Sequence, residues 1–348
     1  MSSTTLLHDL PWLQSPIIAN APMSGFATSE LAVAVTQAGG LGQIGFLSDS
    51  RALATQLGHA SQHLQSITAQ SPDNILPIGV GVICAGMSPL AIAPVLTQYK
   101  PAVVWLSFGE ATDFAQWTAM IRSASPRTKI WIQIGSVKAA VGAAQACRPD
   151  ALVIQGVDAG GHGHARGASL ITLLPEVADA LQAAGMGGIP LVAAGGIMDG
   201  RSTAAAVMLG AAVVTMGTRF LAAEETNVPA QYREALFRAS DGGEATARSR
   251  VFDEMSGPSP WPALYDGRCL TNVCYENEQK GMSMEEVRAE LLRDGDRLRE
   301  TENGYRDTSS VWAGTGVGLM SKLEQAKDIV ETVREDAKKR LRAGSAAF

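Results

Sequence analysis

Cysteine is scarce in this sequence: Cys84, Cys147, Cys269 and Cys274 are four in 348 residues, and no two stand in C-x-x-C spacing. That excludes a disulfide framework and a zinc site of the usual spacing, so the four read as reduced thiols. Long apolar runs are also missing. The longest, around 204–217, is too short and too interrupted by glycine to cross a bilayer. Lys and Arg form no long block, and the first of them is Arg51, so the start has neither a secretory signal nor an Arg-rich transit pattern. With a net charge of −6, there is no electrostatic footprint for nucleic acid or an anionic membrane. A soluble, cytoplasmic protein acting on small molecules is expected, with homo-oligomerisation left open.

Apolar material is plentiful: 46% of residues are hydrophobic against 18% charged, and the 36 glycines cluster at the ends of apolar runs rather than in a repeat. Short β-rich runs at 17–21, 41–44, 75–82, 102–106, 129–134, 151–155, 190–194 and 212–216 alternate with segments of helical period at 29–38, 51–64, 89–98, 111–121, 137–147, 175–184 and 200–209. Eight strands with a helix between each pair, over about 200 residues, predict a (β/α)8 TIM barrel. A doubly wound open sheet shares the local alternation, but its fingerprint occurs once, at Gly40 to Gly45, where the glycines follow a helix and enclose a strand. That is the reverse of a dinucleotide loop. The expected organisation is a barrel over 1–223, a mainly helical, irregular insertion after the eighth strand at 224–310, and a return segment at 311–348. The last carries an amphipathic helix over 319–341, with Gly344 as its stop. The insertion is expected to cover the catalytic face as a substrate lid, because loops after barrel strands emerge there.

The densest chemical signal follows the sixth strand: Gln155-Gly156-Val157-Asp158-Ala159-Gly160-Gly161-His162-Gly163-His164. Paired glycines let backbone approach a planar or anionic ligand, and His162 stands beside whatever those amides hold. A solvated loop histidine is the plainer reading. A metal site from His162, His164 and Asp158 is disfavoured, because alternate residues on a glycine-rich loop fix no ligand geometry. After the seventh and eighth strands come Gly195-Gly196 and Gly217-Thr218, where barrels keep their phosphate site. Their backbone N–H groups suit a phosphate dianion. At the first strand's end stands Ala21-Pro22-Met23, and at the fifth's Gln133, either a flavin contact or a satisfied core amide.

Taken together, these motifs resemble the nitronate monooxygenases, once called 2-nitropropane dioxygenases, over nearly the whole chain. The late stretch Ala313-Gly314-Thr315-Gly316-Val317-Gly318 belongs to the same pattern, and Gly81 in place of an Asn common in bacterial relatives is closer to the fungal-type branch. The resemblance implies an FMN-binding TIM barrel that oxidises alkyl nitronates, with neutral nitroalkanes an open extension, using O2 and yielding a carbonyl compound and nitrite. It implies His162 as the catalytic base. The flavin contacts it implies are Pro22, Met23, Gln133, Gly161, Gly195, Gly196, Gly217 and Thr218. FMN-dependent enoyl-acyl-carrier-protein reductases share a similar Gly-Gly-His loop, so the alternative is an FMN-dependent NAD(P)H reductase of enoyl thioesters or quinones.

Overall fold

The computed structural model describes residues 3–86, 88–299 and 309–346. Eight parallel strands form one sheet: β1 (Ile17–Asn20), β2 (Gln43–Ile44), β3 (Leu76–Ile83), β4 (Pro101–Ser107), β5 (Lys129–Ile134), β6 (Ala151–Gln155), β8 (Leu191–Ala194) and β9 (Val213–Met216). Their order is β1-β9-β8-β6-β5-β4-β3-β2. A bridge from Ala19 to Leu41 brings the two edges together and closes the barrel. The strands are buried on both faces, β4 along its whole length, as parallel strands wrapped by helices must be. Alternation then sorts the side chains. Ile17, Ala19, Val103, Trp105, Trp131, Val153, Val192 and Val213 share one buried cluster inside the barrel, with Leu6, Leu10 and Leu13 of the N-terminal segment stopping its lower end. Ile18, Ile44, Val80, Val104, Ile132, Ile154 and Val214 pack outward beneath the helices.

Two helices differ from expectation. The one expected from Pro175 starts at Leu170 and carries Pro175 inside it. An internal proline costs a helix about 3 kcal/mol, which burial of Leu170, Leu173, Leu174, Val177 and Leu181 outweighs. The last helix runs Ala326–Ala346, so Gly344 lies within it and not past its end. It starts late because Glu225 accepts the Ala326 N–H at 2.8 Å, capping the first turn. Leu319 falls in a separate short turn, Val317–Leu319, and Leu323 is exposed.

The segment after β9 is mainly helical, with helices Ala230–Arg238, Val273–Gln279 and Met284–Arg299. Residues 300–308 of the expected insertion lie outside the described residues. The segment also supplies two strands, β10 (Thr246–Ser249) and β11 (Tyr265–Leu270). These pair antiparallel with β7 (Gly161–His164) in the order β10-β11-β7. The loop expected to support His162 is therefore a strand in a second sheet, held by main-chain bonds to the insertion.

Candidate active site

The carboxyl ends of the barrel strands are built from small residues, and close approach explains why. A Cβ on Gly81 would fall 2.6 Å from Cβ of Pro22, and one on Gly45 would fall 2.1 Å from the Met23 carbonyl oxygen. The Ala21-Pro22-Met23 turn thus lies across the ends of β2 and β3 where only glycine fits beneath it. The Met23 sulfur reaches to 3.8 Å from the Cβ position of Gly217, so Pro22, Met23 and Gly217 meet on one rim.

Beside them, four loops converge. Gly195 (φ +103°) and Gly196 (φ +74°) adopt the left-handed conformation that side chains resist, and Gly195 packs on the Gly156 carbonyl and Gly196 on Asp158. Gly160 abuts Ala313 and Gly314. Gly314 N–H donates to Thr218 Oγ1 at 2.9 Å, and Thr315 N–H donates to the Asp158 carbonyl at 3.0 Å. Glycine-rich turns far apart in sequence, including the 313–318 stretch, therefore share one place. The N–H groups of Gly195, Gly196 and Gly217 donate to no acceptor among the described residues, and a Cβ on Gly161 would meet nothing within 4 Å. Unclaimed backbone amides are what a cofactor phosphate requires. Asp158 was legible as part of a signature and as a disfavoured metal ligand. Its carboxylate accepts from Ser169 Oγ at 2.8 Å and lies near Thr315 Oγ1, tying the β6 loop to the 313–318 stretch.

His162 stands opposite Gly267 of β11. Its Nε2 lies 2.8 and 3.1 Å from the two carboxylate oxygens of Asp253, in the short helix Val251–Glu254 of the insertion. The imidazole stacks on Trp261 (centroids 4.2 Å apart, 23° between planes), tilts against Trp312 at 4.6 Å and meets Phe108 edge-on at 6.5 Å. Phe108 itself holds a left-handed backbone, φ +56°, a strained conformation of the kind stored at functional sites. With side-chain exposures of 15% and 9%, neither His162 nor Asp253 is a solvated surface group. The hydrogen bonds of the His162 ring among the described residues are all at Nε2, none at Nδ1.

Gln133 is the middle of a chain. Its Oε1 accepts from the Trp105 indole and its Nε2 donates to Gln155 Oε1, both at 3.0 Å, while Gln155 Nε2 donates to the His162 carbonyl at 3.0 Å. One amide hydrogen of Gln133 remains beyond these bonds. His164 packs over Gly135 and edge-on to Tyr265. Burial, with Arg248 nearby, holds its imidazole below the ordinary range. The Tyr265 phenol is pushed up to about 12, by burial first and then by Cys84, Glu110 and Asp113. Phe108, Gln133, Gly135, Gln155, His164 and Tyr265 line a narrow crevice between barrel rim and second sheet. Asp253, Trp261, Trp312 and Phe108 carried no local signal: Asp253 is 91 residues from His162, and spacing is informative only within one element.

Comparison with known proteins bears on the family and the fold. The nitronate monooxygenase family profile matches residues 90–336. A nitronate monooxygenase of Metarhizium robertsii is 40% identical, with 96% of this chain and 94% of that protein covered. One from Neurospora crassa is 33% identical over 97% of this chain and 93% of its own. Among solved structures, FabK from Thermotoga maritima superposes with a TM-score of 0.74 at 27% identity, covering 99% of both chains. A nitroalkane oxidase from Streptomyces ansochromogenes gives 0.70 at 25%, covering 98% of this chain and 99% of its own. On the profile match and the two fungal relatives, the chain belongs to the nitronate monooxygenase family.

Proposed function

We propose that this protein uses FMN and O2 to oxidise alkyl nitronates to a carbonyl compound and nitrite, with His162 as the group that handles the substrate's proton or charge. The observation that carries the reading is His162 itself: one ring nitrogen is held by Asp253 and the other makes no hydrogen bond among the described residues, beside a rim of unclaimed glycine amides. Gly195, Gly196, Gly217 and Thr218 would hold the FMN phosphate through backbone N–H groups. Met23 and Pro22 would bound the flavin on the β1 side, Gly161 would lie against it, and Gln133 would offer its remaining amide hydrogen. When bound there, FMN would supply the electron transfer. His162 removes the α-proton of a neutral nitroalkane, or, once protonated, pairs with a nitronate anion. The indoles of Trp261 and Trp312 keep that exchange away from bulk water. In this reading 1–223 is the cofactor barrel, 224–310 the substrate lid that supplies Asp253 and Trp261, and 311–348 the return segment and closing helix.

The test is anaerobic mixing of the flavin-loaded protein with a preformed nitronate. Loss of the oxidised-flavin absorbance, restored by O2 with release of nitrite, is expected. Bleaching by NADPH and none by any nitronate would overturn the proposal in favour of a nicotinamide-dependent reductase.

A further inference from the structure

We propose that Asp253 is a positioning residue that fixes the tautomer of His162, making Nδ1 the basic nitrogen of the site. This rests on the reading of His162 as the proton-handling group. Both Asp253 oxygens face Nε2, at 2.8 and 3.1 Å. A carboxylate only accepts hydrogen bonds, so Nε2 carries the hydrogen and the lone pair of the neutral ring lies on Nδ1. Asp253 has no other ion pair among the described residues, and its side chain is nine-tenths buried. A buried carboxylate with one partner holds that partner firmly, because turning the ring away would leave the charge unpaired.

The rest of the environment enforces the same choice. Trp261 stacks on the imidazole and Trp312 flanks it, so the ring cannot turn freely. The His162 backbone is fixed independently, by the Gln155 donor to its carbonyl and by the β7–β11 ladder. The insertion supplies the carboxylate and the barrel supplies the histidine. The pair therefore exists only when the 251–254 turn is docked. With a neutral nitroalkane, the α-C–H bond breaks, a new N–H forms at Nδ1, and the electron pair stays on the substrate as nitronate. The imidazolium so formed is paired at Nε2 with Asp253, as in other histidine–carboxylate dyads.

Two measurements on the full-length protein test this. Long-range ¹H–¹⁵N spectra of protein labelled at its five histidines, with His162 assigned by its loss in His162→Asn, should show a pyridine-like Nδ1 and a pyrrole-like Nε2. In Asp253→Asn, whose amide can donate as well as accept, that pattern should mix or invert; in Asp253→Glu it should persist. Turnover should follow. Asp253→Asn should lose ~10²-fold or more on a neutral nitroalkane, the range of a misplaced general base, and under ~10-fold on the preformed nitronate, with Asp253→Glu recovering part of the first loss. A neutral ring with its hydrogen on Nδ1 in the unaltered protein, or an unchanged tautomer in Asp253→Asn, would overturn the proposal, as would equal losses on both substrate forms. The spectra need no substrate, so they decide the role of Asp253 even if no nitro compound turns over, an outcome that would count against the proposed function alone.

Discussion

The side-chain amide of Gln155 donates to the main-chain carbonyl of His162 at 3.0 Å, and through Gln133 the same chain ends on the indole of Trp105 inside the barrel. The position of His162 is thus referred to the barrel core as well as to the insertion. Gln155→Leu keeps the volume and removes both bonds, leaving the His162 carbonyl and a Gln133 hydrogen unsatisfied. A cost of about 1 to 3 kcal/mol is expected, read as a lower urea midpoint with unchanged slope. An unchanged midpoint would mean that water replaces the lost partners.

His162→Asn separates the two roles open to the histidine. Asn has a similar shape and no basic nitrogen, so activity on a neutral nitroalkane should fall ~10² to 10⁴-fold. A preformed nitronate skips the proton abstraction and should lose only a charged hydrogen bond, about 1.5 to 3 kcal/mol. Rapid-mixing flavin reduction with both forms measures the split. Equal losses would make His162 a binding group.

The phosphate rim is best probed at Gly217. Gly196 is left-handed and already against Asp158, so a side chain there strains the backbone whatever the ligand. A Cβ on Gly217 meets only Ala21 and Met23 at ordinary distances, and Gly217→Asp places a carboxylate among the open amides. Like charges ~4 Å apart cost about 1 kcal/mol in water and several times that when partly buried. FMN content after purification should fall sharply while the far-ultraviolet circular dichroism is retained. Full occupancy would move the phosphate elsewhere.

His164 gives the fold a pH dependence of defined sign. Burial and Arg248 hold its imidazole below the ordinary value of 6.5. As pH falls through 6.5 the unfolded chain takes up this proton before the folded one does, so stability drops over the window between 6.5 and the lower folded value. His164→Gln should flatten that slope in melting temperatures taken from pH 7.5 to 5.5, most visibly below 6.5. An unaltered slope would assign the effect to another group.

Much of the barrel was legible in the sequence because a buried parallel strand is a short apolar run with glycine at its end. Strands 129–134 and 151–155 and helix 137–147 fall where periodicity sets them. β10 and β11 were not legible. In β11 the buried positions are Tyr265, Gly267 and Cys269, alternating with Asp266, Arg268 and Leu270, and a glycine at the centre erases the contrast that marks a half-buried strand. Gly267 is there because Trp312 occupies its side-chain space, 2.2 Å from the Cβ position. The rim glycines could be listed from sequence, yet the atoms that claim them, Pro22 over Gly81 and Asp158 beside Gly196, are known only once the chain is folded. The carboxylate on His162 was hidden for the same reason: pairing across 91 residues leaves no local period.

The barrel seam has a consequence for the order of synthesis. Between β1 and the β2 segment the described residues form one bridge, Ala19 to Leu41. The turn leading into it is gripped by the buried Arg334, whose guanidinium donates to the carbonyls of Ala38 and Gly39 at 2.8 and 2.9 Å, 296 and 295 positions away. On a ribosome, the last barrel strand emerges more than a hundred residues before the arginine that holds this turn. A nascent chain that has made every barrel strand can therefore form the Ala19–Leu41 bridge while the turn beside that seam still waits for its side-chain clamp.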